Sequence, residues 1–406
     1  MRPLALLGMF LAATAAAESP DVPGTVIHHS PAASRAYVGS PGIAILPDGS
    51  YLAKCDDFGK GTTEFESAVS RVFRSDDRGQ TWRPTAVLND LFWASVFVHD
   101  GSAYLIGTTK HHGLLNIRRS DDGGETWTSP TDTDHGLLTP TGEYHTAPGP
   151  VLVHDGRLWR GVEDAGNGTK WGYRYSAMMM SAPVGADLLK ADSWTFSNKI
   201  ARDASWLGGD FKAFLEGNAV LTREGRVENI LRVQRESGLG GTAAVCQVSD
   251  DGRTMTFDPA AGFIDLPGAA KKFTIRFDPQ SDIYYALTSP VAPAIPTGRD
   301  KSKGQRAAGG VRNTMALVRS RDLRDWEVVT VLLHHPDVDK HGFQYPDWVF
   351  DGDDIIAAVR TAYDEAAGQA HRAHDANYLT FHRIEDFRDL TMADSVVDPQ
   401  VLGFAP

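Results

Sequence analysis

The sequence predicts an all-β fold, a β-propeller of six repeats with one blade per repeat. A short Ser-Asp-Asp turn motif recurs along the chain, and pairs of β-like runs recur at a spacing of roughly 50 residues. No sustained helical periodicity interrupts these runs. A seventh blade stays open as an alternative, because residues 18–40 and the chain after Leu390 could pair to close the ring.

The turn motif occurs in two close copies, at residues 75–82 and 120–127. A weaker copy begins at Ser249, and a degenerate copy begins at Ser320 and ends at Trp326. Asp and Gly supply the local hydrogen bonds and the positive φ of a tight turn. The tryptophan that ends the better copies can fill the hydrophobic gap between neighbouring sheets. The recurrence therefore indicates stacked units of similar structure.

Each repeat also contains two runs rich in Val, Ile, Tyr and Leu around a polar turn, as paired strands require. The six pairs span residues 42–53, 95–107, 150–162, 218–233, 273–288 and 347–360. Four-stranded blades repeat at such a spacing. We therefore predict a single propeller domain over residues 18–406.

Residues 1–17 are typical of a secretory signal peptide. Arg2 gives a positive start, residues 4–13 form a short apolar run, and residues 15–17 are alanines suited to cleavage. The run is shorter than the roughly 20 residues that cross a membrane. We therefore expect a secreted or periplasmic protein with no membrane span.

The chain has 406 residues, a formal net charge of −12 and two cysteines, Cys55 and Cys246. The acidic charge disfavours a nucleic-acid partner, although a locally basic pocket can still bind an anion. Two cysteines exclude a disulfide-dense scaffold and leave their pairing open. The expected state is a monomer.

Propeller geometry selects candidate site residues. The first strand of each blade begins at the top face and the second returns to it, so the flanking residues converge at the top centre. Positions before the first strand hold Trp93, Tyr144, His145, Glu216, Lys271, Lys272, His341 and Tyr345. Positions after the second strand hold Asp56, Asp57, His111, His112, Glu163, Asp164, Arg232, Arg235 and Arg360. Turns are more often Gly, Ser or Asn, so this composition indicates a polar pocket at the propeller mouth.

The turns at 75–82 and 120–127 resemble the Asp-boxes of the sialidase superfamily. This resemblance implies a sialidase-like β-propeller. Sialidases carry a Tyr/Phe-Arg-Ile-Pro segment near the start, whose arginine binds the substrate carboxylate. Residues 37–41 read Tyr-Val-Gly-Ser-Pro at the corresponding place. The missing arginine argues against true sialidase activity.

A closer resemblance is to sialidase-like propellers that act on uronic-acid polysaccharides, namely ulvan lyases and the rhamnose–glucuronate lyases with their rhamnosidase relatives. The stretches that carry it are residues 111–113, 144–148, 229–232 and 374–378. It implies a pair of histidines with a tyrosine and arginines. It also leaves a structural calcium ion as the one cofactor to consider.

Cleavage of a uronate by β-elimination needs a carboxylate clamp, a base and an acid. Arginine suits the clamp through a two-point contact, and histidine suits the base because its pKa lies near neutral pH. The predicted catalytic residues are His145 and His112 as the base and acid pair, Arg232 as the clamp and Tyr345 as a supporting acid. The predicted substrate-binding residues are Arg360, Asp57, Glu216, Trp93, Arg235 and His341.

The favoured interpretation is a secreted enzyme that cleaves an anionic, uronic-acid-containing polysaccharide or oligosaccharide. A sialidase- or rhamnosidase-type exo-glycosidase is the first alternative, with Glu216 or Asp57 as acid or nucleophile. A glycan-binding propeller without turnover is the second, because polar residues around an axis also suit binding.

Overall fold

Antiparallel strands account for nearly all regular structure in the computed structural model, which describes residues 21–404. The predicted signal peptide lies outside the described residues. The strands form six sheets, and the inner strands of neighbouring sheets contact one another around a central axis.

The first strand, β1 (Thr25–His29), joins the last blade. Blade one contains β2 (Tyr37–Ile45), β3 (Tyr51–Phe58), β4 (Val69–Ser75) and β5 (Arg83–Asn89). Blade two contains β6 (Phe92–His99), β7 (Ser102–Thr108) and β8 (Leu115–Ser120). Blade three contains β9 (Tyr144–His145), β10 (Leu152–His154), β11 (Arg157–Asp164), β12 (Ser176–Pro183) and β13 (Thr195–Phe196).

Blade four contains β14 (Phe211–Leu221), β15 (Val227–Arg235), β16 (Thr242–Val248), β17 (Met255–Thr256) and β18 (Phe263–Asp265). Blade five contains β19 (Thr274–Asp278), β20 (Ile283–Thr288), β21 (Thr314–Ser320) and β22 (Trp326–His334). Blade six contains β23 (Gly342–Asp351), β24 (Asp354–Ala362), β25 (Tyr378–Ile384) and β1. The six predicted strand pairs match two consecutive strands in each of the six blades, which in blade three are the short β10 and β11, and this confirms the repeat pattern.

The ring closes through β1, which pairs antiparallel with β25. Within the described residues, 391–404 do not pair with 21–40, contrary to the expectation. The chain after Leu390 forms a 3-10 turn and the short helix α1 (Pro399–Leu402), whose Leu402 packs on Ala292 and Val331 beside blade five. Residues 21–404 therefore contain six blades, and the alternative of a seventh is wrong.

The two close copies of the turn share one hydrogen-bond pattern. In the first copy, Gly79 N donates to Ser75 Oγ (2.8 Å) and Thr81 N donates to Asp77 Oδ1 (2.9 Å). The second copy repeats these bonds, at 2.9 Å each. Trp82 is half-buried against Phe381 of blade six, with ring centroids 5.6 Å apart. The turn tryptophan therefore packs across the boundary between two blades, as predicted.

Four inner strands carry a bulge near the top of the propeller. The register shifts once in β2, β6 and β23 and twice in β14, where the second shift lies between Leu215 and Asn218. The residues with positive φ at these shifts are Ser40 (41°), Trp93 (50°), Glu216 (60°) and Tyr345 (56°). Non-glycine residues seldom adopt this conformation, and a bulge changes the direction of a side chain. Such backbone strain concentrates at functional sites.

Neighbouring carboxylates on β3 point to opposite faces of the blade, because strand side chains alternate. Asp56 is fully buried, accepts Lys54 Nζ at 2.6 Å and accepts Trp93 N at 2.7 Å. Asp57 forms a two-point ion pair with Arg71, at 2.9 and 2.7 Å. Asp57 is thus turned away from Trp93, and its predicted place in the central pocket is wrong.

We predict that Asp56→Ala lowers the free energy of unfolding by about 3–5 kcal/mol, because it leaves the Lys54 ammonium buried without its partner. The control is Asp57→Ala, which breaks a partly exposed ion pair and should cost about 0–1 kcal/mol. Urea unfolding of both variants measures the difference. Equal losses in the two variants would contradict the assignment of the two faces.

Candidate active site

Three predicted residues from blades four and six meet in one hydrogen-bonded group, here called the tyrosine–glutamate centre (Glu216, Arg232 and Tyr345). The Tyr345 hydroxyl donates to Glu216 Oε1 at 2.7 Å. Arg232 Nη1 donates to Glu216 Oε2 at 2.9 Å and lies 3.3 Å from the Tyr345 hydroxyl. Glu216 and Arg232 are buried, and Tyr345 is half-buried. The bulges in β14 and β23 supply the two side chains that meet across the axis.

The hydrogen bonds and charges around Glu216 and Tyr345 determine which of the two side chains is ionised. Burial would raise the pKa of Glu216, but Arg232, His145 and the Tyr345 hydroxyl outweigh it and the pKa is lowered. Burial and the Glu216 carboxylate raise the pKa of Tyr345. At neutral pH a protonated phenol therefore donates to an ionised carboxylate. Glu216 is placed to take the phenol proton when Tyr345 reacts.

Two more arginines border this centre. The Arg360 guanidinium lies 5.2 Å from the Tyr345 ring and 4.4 Å from the Phe58 ring. Arg312 lies 5.8 Å from the Tyr345 ring. Burial lowers the pKa of Arg312 to about 10. Burial and the nearby Arg312 charge lower the pKa of Arg360 to about 9.

The arginine charges are only partly compensated. The Nε atoms of Arg232, Arg312 and Arg360 are buried and have no hydrogen-bond partner among the described residues. Arg312 donates instead to the Gln344 side chain, and Arg360 donates to the backbone carbonyl oxygen of His374. Buried donors of this kind are normally satisfied. The arrangement therefore favours an anionic ligand such as a carboxylate.

A second group, here called the histidine wall (His112, His145, Glu163 and Tyr175), comes from blades two and three. His145 Nδ1 lies 2.7 Å from Glu163 Oε2, and both side chains are buried. The His145 ring packs on Trp93 and Tyr175, with centroids 4.2 and 4.4 Å apart. With the carboxylate accepting from Nδ1, His145 Nε2 stays available to exchange a proton.

His112 is bound on both ring nitrogens. Arg174 Nη1 donates to Nδ1 at 3.1 Å, and Nε2 lies 2.9 Å from the Tyr175 hydroxyl. Burial, with the neighbouring His111, His145 and Arg174, lowers the pKa of His112 to about 2. His112 is therefore neutral, and it positions Tyr175 more readily than it acts as an acid.

The two groups face the same space. The pKa of Tyr175 is raised by burial and by the carboxylates of Glu163 and Glu216. Glu163 Oε1 also accepts the Gly217 N–H at 3.1 Å, next to the bulge that presents Glu216. Trp171, 40% exposed, lies 5.5 Å from the His145 ring between centroids and gives the histidine wall an aromatic rim.

The structure brings seven predicted residues together in the two groups. Trp93, His112 and His145 lie at the histidine wall, and Glu216, Arg232, Tyr345 and Arg360 lie at the tyrosine–glutamate centre. The other three lie apart, and Asp57, paired with Arg71, is one of them. Arg235 pairs with Asp210 at 2.7 Å toward the rim. His341 is buried in a separate group, stacked 3.5 Å from His335 and 3.3 Å from Asp364.

Sequence reasoning missed Arg312, Arg174 and Tyr175. Each lies one or two residues before the third long strand of a blade, β12 or β21. In an antiparallel blade the third strand starts at the same face as the first. The selection considered only the ends of the first two strands, so including the start of the third would have found all three residues.

The described residues include no group of three or more His, Cys, Asp or Glu side chains arranged to hold a metal ion. The structural calcium ion thus stays a prediction. Cys55 and Cys246 are both buried and free. No helix within residues 21–404 is long and apolar enough to cross a membrane.

Comparisons with known proteins agree on the fold. No protein-family model and no curated protein sequence matches the chain. An α-L-arabinanase from Penicillium chrysogenum, solved with arabinobiose, is 13% identical over 91% of this chain and 100% of its own, with a TM-score of 0.54. An α-L-arabinofuranosidase from Fusarium graminearum is 10% identical over 91% and 99% of the two chains, with a TM-score of 0.55. A Hadza microbial sialidase is 15% identical over 89% and 68%, with a TM-score of 0.57.

The chain is therefore a six-bladed β-propeller of the sialidase-like type. At these identities the likeness concerns the fold alone. The closer resemblance to uronate lyases stays a prediction.

We predict stability effects of different size for two buried arginines. Arg232→Met should lower the free energy of unfolding by about 3–5 kcal/mol, because Glu216 loses its counter-charge. Arg360→Met removes a cation that has no carboxylate partner, so the free energy should change by about 1 kcal/mol or less. Denaturant unfolding without any glycan measures both. A loss in Arg360→Met as large as that in Arg232→Met would contradict the proposed charge imbalance.

Proposed function

We propose that this protein is a glycosidase that acts on a sugar bearing a carboxylate. The observation that carries the proposal is the hydrogen bond from the Tyr345 hydroxyl to the buried, ionised Glu216, beside Arg232. A phenol held against a carboxylate is a nucleophile with its own base. The arginines around it are suited to the negative charge of the substrate.

Substrate binding begins with the carboxylate. Arg312 and Arg360 have buried Nε donors without partners and lie over the Tyr345 ring. A carboxylate placed between them satisfies these donors and relieves their mutual repulsion. It also brings the anomeric carbon of the same sugar ring near the Tyr345 hydroxyl.

A tyrosine suits this chemistry better than a carboxylate nucleophile. A neutral phenol approaches the anionic sugar without the repulsion that a second carboxylate would cause, and sialidases are known to use a tyrosine nucleophile. As the Tyr345 oxygen bonds to the anomeric carbon, the phenol proton passes to Glu216 and the glycosidic bond breaks. Water then releases the sugar and restores the phenol.

The leaving oxygen needs a proton. His145 is the residue we assign to this step, because Glu163 binds its Nδ1 and holds the ring in one orientation. Its Nε2 is the nitrogen that gives the proton and later removes one from the attacking water. Asp57, the alternative acid, is paired with Arg71 on the other face of β3.

The names of similar structures agree with this chemistry. An arabinanase, an arabinofuranosidase and a sialidase share the fold, and all three names describe cleavage of glycosidic bonds. Because one fold hosts many functions, this agreement supports the class of reaction, and the side chains argue for the acidic substrate.

We predict that Tyr345→Phe and Glu216→Gln lower kcat for hydrolysis of an acidic glycoside by at least about 10²–10⁴-fold, because the nucleophile or its base is lost. Purified protein is screened on aryl glycosides of sialic acid and of uronic acids, with neutral arabinosides for comparison. Asp57→Asn is the control and should keep full activity. Mass spectrometry of a quenched reaction should find the sugar on the Tyr345 peptide. Full activity in Tyr345→Phe would refute the mechanism.

A uronate lyase is the second candidate, favoured by the histidine wall. His145 and the Tyr175 hydroxyl, which lies 2.9 Å from His112 Nε2, are the kinds of base and acid that β-elimination uses. An arginine would neutralise the carboxylate and make the proton beside it more acidic.

The lyase alternative predicts a product that absorbs ultraviolet light, since elimination leaves a carbon–carbon double bond. On this mechanism His145→Ala abolishes turnover of a uronate polysaccharide and Arg232→Lys impairs it, while Tyr345→Phe keeps most activity. New reducing ends without ultraviolet absorbance indicate the glycosidase. Near-normal activity in His145→Ala on every substrate would remove His145 from both mechanisms.

A further inference from the structure

A second basic region lies beside the tyrosine–glutamate centre. A cavity of about 180 Å³, here called the basic cavity, opens between blade four and the loop that precedes β21. Its cationic lining residues are Lys212, Arg232, Arg235, Arg299 and Arg312, and no acidic side chain lines it. The whole chain has a net charge of −12, so the positive charge of this cavity is opposite in sign to that of the protein.

Only two of these cations have a carboxylate partner. Arg232 pairs with Glu216 at 2.9 Å, and Arg235 pairs with Asp210 at 2.7 Å. Arg299 donates only to the Glu236 backbone carbonyl oxygen, at 2.5 Å. Burial lowers the pKa of Lys212; the charge of Glu236 opposes this shift, whereas those of Arg299 and Lys170 add to it. Among the described residues, Lys212, Arg299 and Arg312 thus have no carboxylate partner.

The basic cavity adjoins the reacting group through Arg232. Its Nη1 contacts Glu216 and Tyr345, whereas its Nη2 lies 3.9 Å from the position that a Cβ would take at Gly309. Gly309 and Gly310 line the cavity, so their missing side chains leave room beside the guanidinium. One arginine thus borders both the centre and the cavity.

We propose that the basic cavity is a subsite for a second anionic group on the same glycan, such as a sulfate ester or the carboxylate of the adjoining sugar. The proposal rests on the glycosidase function, in which the first carboxylate lies between Arg312 and Arg360. Lys212 and Arg299 bind the second anion, and Arg312 faces both. The preferred substrate is therefore an acidic sugar joined to another charged residue.

The experiment measures binding of inorganic sulfate to the full-length protein without turnover. Sulfate replaces chloride at constant ionic strength, and the melting temperature is recorded against sulfate concentration. Wild type should show a saturable rise in Tm. The Lys212→Ala/Arg299→Ala variant should bind sulfate at least tenfold more weakly, because two charge-assisted donors are lost.

The matched control also removes two positive charges, from the loop that contains Arg299 but outside the basic cavity. Lys301→Ala/Lys303→Ala should bind sulfate as wild type does, because both lysines lie on an exposed 3-10 turn. Arg360→Met should also keep the affinity, which separates the basic cavity from the first carboxylate position. The proposal would be overturned if replacing chloride by sulfate left the Tm of wild type unchanged. It would also be overturned if the two double variants bound sulfate with equal affinity.

The substrate arm compares acidic glycosides with one and with two anionic groups. The Lys212→Ala/Arg299→Ala variant should raise KM at least tenfold for the doubly charged substrate and leave the singly charged one unchanged. Tyr345→Phe should abolish turnover yet keep sulfate binding. If turnover depends on Tyr345 but sulfate does not bind, the subsite proposal is wrong and the glycosidase proposal stands. If sulfate binds but no acidic glycoside is turned over, the glycosidase proposal is wrong and the anion site stands.

Discussion

Glu216 is a carboxylate buried at the propeller axis, and the centre depends on keeping it ionised. Arg232 and Tyr345 each give it a hydrogen bond, at 2.9 and 2.7 Å. Arg232 comes from the strand next to Glu216, whereas Tyr345 comes from blade six. The hydrogen bond from Tyr345 therefore links blades four and six, which are not neighbours in the ring.

The bulges in the inner strands make this contact possible. A regular strand alternates its side chains between the two faces of a blade, and neither face points along the axis. The positive φ of Glu216 and Tyr345, 60° and 56°, changes the direction of these side chains. Trp93 in β6 also has a positive φ, and its ring packs on His145. The same kind of bulge therefore positions side chains in both the tyrosine–glutamate centre and the histidine wall.

The two arginines beside Tyr345 have less compensation for their positive charge than Arg232 has. Arg312 and Arg360 are both buried beside Tyr345, and their Nε atoms lack partners. Removing guanidinium groups from water costs free energy that neighbouring cations only increase. Such an arrangement persists in a folded protein when binding selects for it. An anion bound there would remove the cost, which couples stability of the pocket to its occupancy.

The sequence by itself determined the repeat. Ser75, Asp77, Ser120 and Asp122 make bonds within a few residues of themselves, so the turns and the strands between them are readable from local chemistry. The rule that strand ends converge at the top also found His145, Arg232, Glu216 and Tyr345. It follows from chain direction alone, and it needs no side-chain contact.

Only the tertiary structure decided which of these residues act together. Asp56 and Asp57 are neighbours in sequence, yet strand alternation places one against Trp93 of blade two and the other against Arg71. The hydrogen bond between Glu216 and Tyr345 joins residues that are 129 positions apart in the sequence. Arg312 lies before the third strand of blade five, a position that the repeat pattern did not predict as part of the site. Contacts between distant segments depend on closure of the ring and on bulges of single residues. Neither leaves a periodic signal in the sequence.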